Sequence, residues 1–209
     1  MNAEAYLADP CGASSLPFWK TNSFPVPPSV TVLRDDAFAA PEEGYYDTPY
    51  FKLLHPLDKL ERPPLPSGYS LVRADTEDFA AHIAACYAQE GVSAQELEAS
   101  RRRRVYREDL WIALREDASG RIAATGIAEL DGEIREGVLE WIQVSPEHRR
   151  RGLGRFVVGE LLFRLRSGAD FVTVSGRLDS PDHPLALYES CGFHSPVIWH
   201  ILRKSVPPA

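Results

Sequence analysis

Four arginines and two glycines fall within the seven residues Arg149-Arg150-Arg151-Gly152-Leu153-Gly154-Arg155. Glycine lets the backbone turn so that several N–H groups aim at one spot, and a helix beginning there adds the positive end of its dipole. The arginines add charge of the same sign, so the chemistry of this stretch is that of a cradle for phosphate. Its spacing is neither G-x-x-x-x-G-K-[ST] nor a complete G-x-G-x-x-G. Other chemistries lack local support. There is no H-E-x-x-H pair and no G-x-S-x-G elbow, and Cys11, Cys86 and Cys191 are too scattered for a C-x-x-C site or a disulfide framework.

The flanking residues must form the elements that hold such a turn. Val138 to Val144 is apolar, β-branched and aromatic at strand length, while Phe156, Val157, Leu161, Leu162 and Leu165 recur at helical spacing. The pattern is strand, glycine turn, helix. Upstream, Tyr69 to Arg73 alternates as a strand, and Asp75 or Thr76 can cap a helix through Phe79, His82, Ile83 and Tyr87. Ser93 with Glu96 matches a capping box for a second helix, extending to Arg101-Arg102-Arg103-Arg104. That basic run reads as a solvated helix face. Leu110 to Arg115 and Ile122 to Leu130, joined by Asp117-Ala118-Ser119-Gly120, form a hairpin that leads into the strand before the turn. Phe171 to Ser175 is a buried-strand pattern after the helix, so a parallel crossover follows the antiparallel meander. A short helix over Pro184 to Cys191, stopped by Gly192, and a strand over Val197 to Leu202 close the chain.

Residues 1–66 differ from the rest. They hold 11 of the 17 prolines yet carry nine aromatic residues, which a disordered tail would lack. The expectation is a wrapped, largely irregular extension packed on a main domain of residues 67–209. Ser29 to Leu33 is a short strand and Asp47 to Leu54 an apolar docking segment. Phe18 and Trp19 read as anchors, with Cys11 incidental; a site-lining loop at Asp9 to Lys20 is the alternative.

The motif Arg149-x-x-Gly152-x-Gly154 with Val144-x-Pro146 ahead of it, followed downstream by Leu187-Tyr188-Glu189-x-x-Gly192-Phe193, resembles the two signatures of the GNAT superfamily of acyl-CoA N-acyltransferases. The resemblance covers about residues 68–204 in pattern. It implies an α/β (α+β) fold with a mixed central sheet, an antiparallel meander and then a parallel βαβ crossover, with helices on both faces. It also implies acetyl-CoA or another acyl-CoA as co-substrate. Ile142, Gln143 and Val144 would pair with the pantetheine arm, and a backbone N–H at a bulge, Val144 being the choice, would face the acyl oxygen. Arg149, Arg150, Arg151, Gly152, Leu153, Gly154 and Arg155 would hold the pyrophosphate. The family often has an asparagine before the last helix, where this chain has Ser180-Pro181-Asp182-His183.

Tyr188 stands where family members often protonate the departing thiolate, and a phenol can do so without carrying charge at neutral pH. Packing is its other reading. Glu140, on the strand beside the expected acyl group, could serve as base directly or through water; Asp182 and His183 are weaker alternatives whose default role is turn formation. The function expected is transfer of an acyl group, most simply acetyl, to an amine of a small molecule or peptide, by direct transfer and without a metal. A catalytically silent acyl-CoA-binding module is the alternative. Net charge of −7 argues against a nucleic-acid partner, and no run suits a membrane span or a signal segment. A cytoplasmic protein is expected, with a homodimer allowed.

Overall fold

The computed structural model describes residues 1–87 and 91–204. In chain order its elements are helices α1 (Ala3–Ala8) and α2 (Phe18–Ser23), then strands β1 (Val30–Arg34), β2 (Tyr45–His55) and β3 (Tyr69–Val72). Helices α3 (Thr76–Cys86) and α4 (Ala94–Ser100) precede strands β4 (Trp111–Glu116), β5 (Ile122–Asp131) and β6 (Glu136–Val144). Helix α5 (Leu153–Leu165), strand β7 (Phe171–Arg177), helix α6 (Pro184–Ser190) and strand β8 (His194–Lys204) complete the chain. Two compact bodies result, one of Pro56–Val172 and one of Met1–His55 with the chain from Thr173 onward.

In the first of these, β4, β5 and β6 form the expected antiparallel meander, and β3 pairs antiparallel with β4. The Asp170 N–H, just before β7, donates to the Arg135 carbonyl, just before β6, at 2.8 Å. Both strands thus start side by side, and the α5 crossover makes them a parallel pair. This is the mixed α/β arrangement expected. Alternate residues of β5 serve opposite faces. Ile127 joins Phe79, Ile83, Leu97 and Ala113 in a core under α3 and α4. On the other face a Cβ at Gly126 would collide with Val157 and Leu161 of α5, so only glycine lets that helix seat. Leu161 is fully buried there, a contribution of about 1.5–3 kcal/mol.

Local sequence explains the helix ends. Asp75 with Asp78, and Ser93 with Glu96, make reciprocal capping boxes at α3 and α4. The buried Glu160 of α5 is held ionised by Arg62, at 2.7 and 2.9 Å, and by Arg164 at 2.8 Å. Burial works against its charge, but these two arginines outweigh burial and lower its pKa.

In the second body β8 lies between β1 and β2, antiparallel to both, and β7 follows β2 in the sheet order. The expectation of an irregular leader is corrected here, because residues 1–55 supply two helices and two strands. The segment read as a docking stretch is part of the 11-residue strand β2. Pro49 obscured it, since proline disfavours a paired strand; its carbonyl nonetheless accepts the Leu178 N–H at 2.9 Å. Phe18 and Trp19 are buried, as anchors should be. Lys52 of β2 is buried too, and its ammonium donates to the carbonyls of Pro10, Ser14 and Leu16 at 2.8–2.9 Å and to the Tyr6 hydroxyl at 3.0 Å. Among the described residues no helix is long and apolar enough to cross a membrane.

Candidate active site

Strand β6 runs into a 3-10 turn at Pro146–His148 and then into α5. Two residues between them take left-handed backbone conformations, Arg150 at φ 61° and Gly152 at φ 82°. Gly152 is the N-cap of α5, and nothing lies within 4 Å of where its Cβ would be. Glycine is required there by backbone angle and not by crowding. The space beside it is open, the helix behind it is 13 residues long and its first N–H groups need acceptors. An anionic phosphate fits that need. Leu153 is buried and fixes the first turn of the helix to the core, while Gly154 is half-buried.

The arginines of the turn have different surroundings. Arg150 and Arg155 are exposed, with no side-chain hydrogen bond or ion pair among the described residues. Arg149 is exposed and its Nε lies 3.5 Å from the Val144 carbonyl. Arg151 is tied down. It donates to the Tyr69 hydroxyl at 3.1 Å and lies 3.7 Å from the Glu116 carboxylate. The same Tyr69 hydroxyl is 3.1 Å from His148 Nδ1, and Glu116 is 3.8 Å from that nitrogen.

Along β6, Ile142 faces Gly126, Gln143 faces Thr125 and Val144 faces Ala124 in regular register. The expected bulge at Val144 is corrected: the register slips at Glu140, where Trp141 opposes Ile127 and Leu139 opposes Ala128. One extra residue is accommodated on β6 at that point, as in a β-bulge. Glu140 is half-buried. The Ile142 carbonyl accepts from the Tyr87 hydroxyl at 3.2 Å.

A buried polar chain lies on the same strand. Gln143 Nε2 donates to Thr125 Oγ1; Thr125 Oγ1 is 2.9 Å from His82 Nδ1, and His82 Nε2 is 2.9 Å from Ser145 Oγ. Burial pushes the His82 pKa down to about 4, the charge of Glu147 working against this shift and that of His148 with it. His82 is therefore neutral near pH 7. Either neutral tautomer of His82 bridges Thr125 and Ser145, one ring nitrogen donating and the other accepting. Helix α3 is thereby bonded to the end of β6.

The sequence reading missed Tyr69, Glu116, His148, His82, Thr125 and Ser145 as parts of the site. In the sequence Tyr69 and His82 show only the periodicity of a strand and of a helix. The dense titratable content of Glu147-His148-Arg149 was the available signal for His148. The reading of Arg101–Arg104 as a helix face is corrected. Helix α4 ends at Ser100, and the run turns back so that Arg104 pairs with buried Asp131 and Arg103 lies 3.7 Å from Glu129. An open depression of about 800 Å³ lies beside the N-terminal end of α3 and along α4 past its C-terminal end, bordered by Asp75, Glu77, Gln95, Glu98, Arg101 and Arg102. No cradle residue lines it.

Tyr188 belongs to the other body. It is buried on α6, with its ring 6.1 Å from that of Phe51 and 5.6 Å from that of Phe193. Gly192 after the helix has φ 96°, a left-handed stop. Asp182 and His183 precede α6, with His183 at its N-cap in a left-handed conformation, consistent with turn formation. No group of metal-ligating side chains occurs among the described residues.

Residues 106–195 match the family described as acetyltransferase (GNAT) domain. No protein of curated function matches the chain. Among solved structures, a GCN5-related N-acetyltransferase from Sphaerobacter thermophilus is similar at 19% identity and a TM-score of 0.65, over 80% of this chain and 55% of that one. A putative GNAT-family acetyltransferase from Novosphingobium aromaticivorans is similar at 16% identity and a TM-score of 0.55, over 85% of this chain and 75% of that one. A GNAT-family acetyltransferase from Colwellia psychrerythraea matches at 14% identity and a TM-score of 0.56, over 83% and 64%. The chain thus spans about half the length of the first of these. Likeness at such identities concerns the fold.

Proposed function

We propose that the chain is an acyl-CoA-dependent N-acyltransferase, using acetyl-CoA and an amine of a small molecule or peptide, a reading supported by the match of residues 106–195 to the acetyltransferase (GNAT) domain family. The single observation carrying this reading is the open, left-handed Gly152 turn at the head of α5, reached from β6 through the 3-10 turn. Backbone N–H groups from Arg149 to Arg155 would hold the pyrophosphate, and β6 from Ile142 to Val144 would align the pantetheine arm. Acyl-CoA supplies the activated thioester. The chain's own part is to orient that group, polarise its carbonyl and manage two protons.

One proton leaves the attacking amine, for which Glu140, directly or through water, is the proposed acceptor. The other goes to the leaving sulfur, with the Tyr188 hydroxyl as proposed donor. The slip in register at Glu140 supports the first assignment, because a bulge re-aims side chains and backbone where the ladder is interrupted. We assign residues 67–209 to the acyltransferase domain, residues 1–66 to an extension, and the protein to the cytoplasm.

Gly152→Asp tests the cradle. A charged side chain at φ 82° should abolish CoA binding by calorimetry, whereas Tyr188→Phe should leave binding intact and lower turnover. Normal CoA affinity in Gly152→Asp would refute the assignment.

A further inference from the structure

The four arginines of the phosphate turn are chemically alike but differently held. Arg150 and Arg155 project from the surface with no protein partner among the described residues. Arg151 spends its guanidinium on the protein, donating to Tyr69 at 3.1 Å and facing Glu116 at 3.7 Å. Behind it the contacts continue inward. Tyr69 and His148 are both buried, their rings meet edge to face at 5.8 Å, and the Tyr69 hydroxyl is 3.1 Å from His148 Nδ1. That hydroxyl accepts from Arg151, so its own proton is available for His148. Tyr69 and Glu116 are cross-strand neighbours on β3 and β4. Two residues of the turn, His148 and Arg151, are therefore fastened to one point on the sheet edge, on either side of the left-handed Arg150.

Resting on the acyl-CoA reading above, we propose that Arg151 is a positioning residue, not a phosphate ligand. With Tyr69, His148 and Glu116 it braces the turn, while Arg150 and Arg155 provide the side-chain charge that meets the donor's phosphates. A turn with two left-handed residues in three loses much conformational freedom when ordered. Bracing removes that loss from the binding step, so the N–H groups stand ready before the ligand arrives. The two roles predict different responses to salt. An exposed charge acting on phosphate is screened, with a Debye length of about 10 Å at 0.1 M and about 3 Å at 1 M, whereas preorganisation is not.

The test uses Arg151→Ala, Tyr69→Phe and Arg150→Ala in the full chain. In the ligand-free proteins, amide hydrogen exchange across residues 149–154 should speed by about tenfold in Arg151→Ala and Tyr69→Phe, and remain unchanged in Arg150→Ala. Calorimetry with CoA between 0.05 and 1 M NaCl is the second arm. Arg151→Ala and Tyr69→Phe should weaken binding by a similar factor of about ten at every salt concentration. Arg150→Ala should weaken it at low salt only. Unchanged exchange in Arg151→Ala and Tyr69→Phe would overturn the brace. So would a loss in Arg151→Ala that vanishes at 1 M salt while Tyr69→Phe binds normally, because that is the behaviour of a phosphate-contacting charge. Failure of the wild-type protein to bind CoA would refute the acyl-CoA reading instead, and the exchange arm would still decide whether the brace exists.

Discussion

Acidification should unload the polar chain at the end of β6, and the amount can be worked from His82. Its pKa is about 4 in the folded protein, mainly through burial, against an ordinary 6.5. The unfolded chain therefore binds a proton that the folded one refuses between those values. Stability from this group is fully present above about pH 6.5 and falls as pH drops towards 4, with no further loss below. A gap of about two and a half units at about 1.4 kcal/mol each comes to about 3 kcal/mol. Other carboxylates titrate in the same range, so the measurement is a difference. Urea unfolding of wild type and His82→Gln from pH 8 to pH 4 should show wild type losing about 3 kcal/mol more than the variant. Parallel profiles would refute the claim that His82 is held neutral by burial.

Three further outcomes follow from buried charges. Lys52→Met should destabilise the protein by about 3 kcal/mol, because it strips the carbonyls of Pro10, Ser14 and Leu16 and the Tyr6 hydroxyl of their shared donor; an unchanged thermal midpoint would contradict this. Arg104→Ala leaves fully buried Asp131 without its guanidinium partner and should cost about 3–5 kcal/mol in chemical unfolding, where a mere surface charge would cost almost nothing. Burial would lower the His200 pKa, but hydrogen bonds to Asp47 at 2.7 Å and Asp35 at 3.1 Å raise it overall. Its contribution is present below the unfolded pKa and lost as pH rises through the folded one. Asp47→Asn should accordingly lower the His200 titration midpoint by NMR, and no shift would exclude the pairing.

What was legible in the chain was what is local. The glycine turn between Val144 and Phe156 announces itself because strand and helix periods meet there, and the Ser93–Glu96 capping box needs only residues three apart. Long-range partnerships left no such trace. Lys52 is caged mainly by backbone carbonyls 36–42 residues away, which no side-chain pattern encodes. The arginine run has good helix propensity, yet pairing with Asp131 and Glu129 draws it out of α4, a tertiary override of local preference. The slip in register at Glu140 depends on how β6 meets β5, and composition of either strand alone cannot place it. Similarly, Arg149, Arg150, Arg151 and Arg155 look equivalent in sequence. Only the fold brings Tyr69 and Glu116 to Arg151.

The central claim is acyl transfer to an amine, and release of free thiol from acetyl-CoA in the presence of a broad amine panel measures it most directly. The account predicts thiol release that depends on both acetyl-CoA and one class of amine, disappears in Gly152→Asp and slows in Tyr188→Phe. Tight CoA binding with no amine-dependent thiol release across the panel would contradict it and leave an acyl-CoA-binding module in its place.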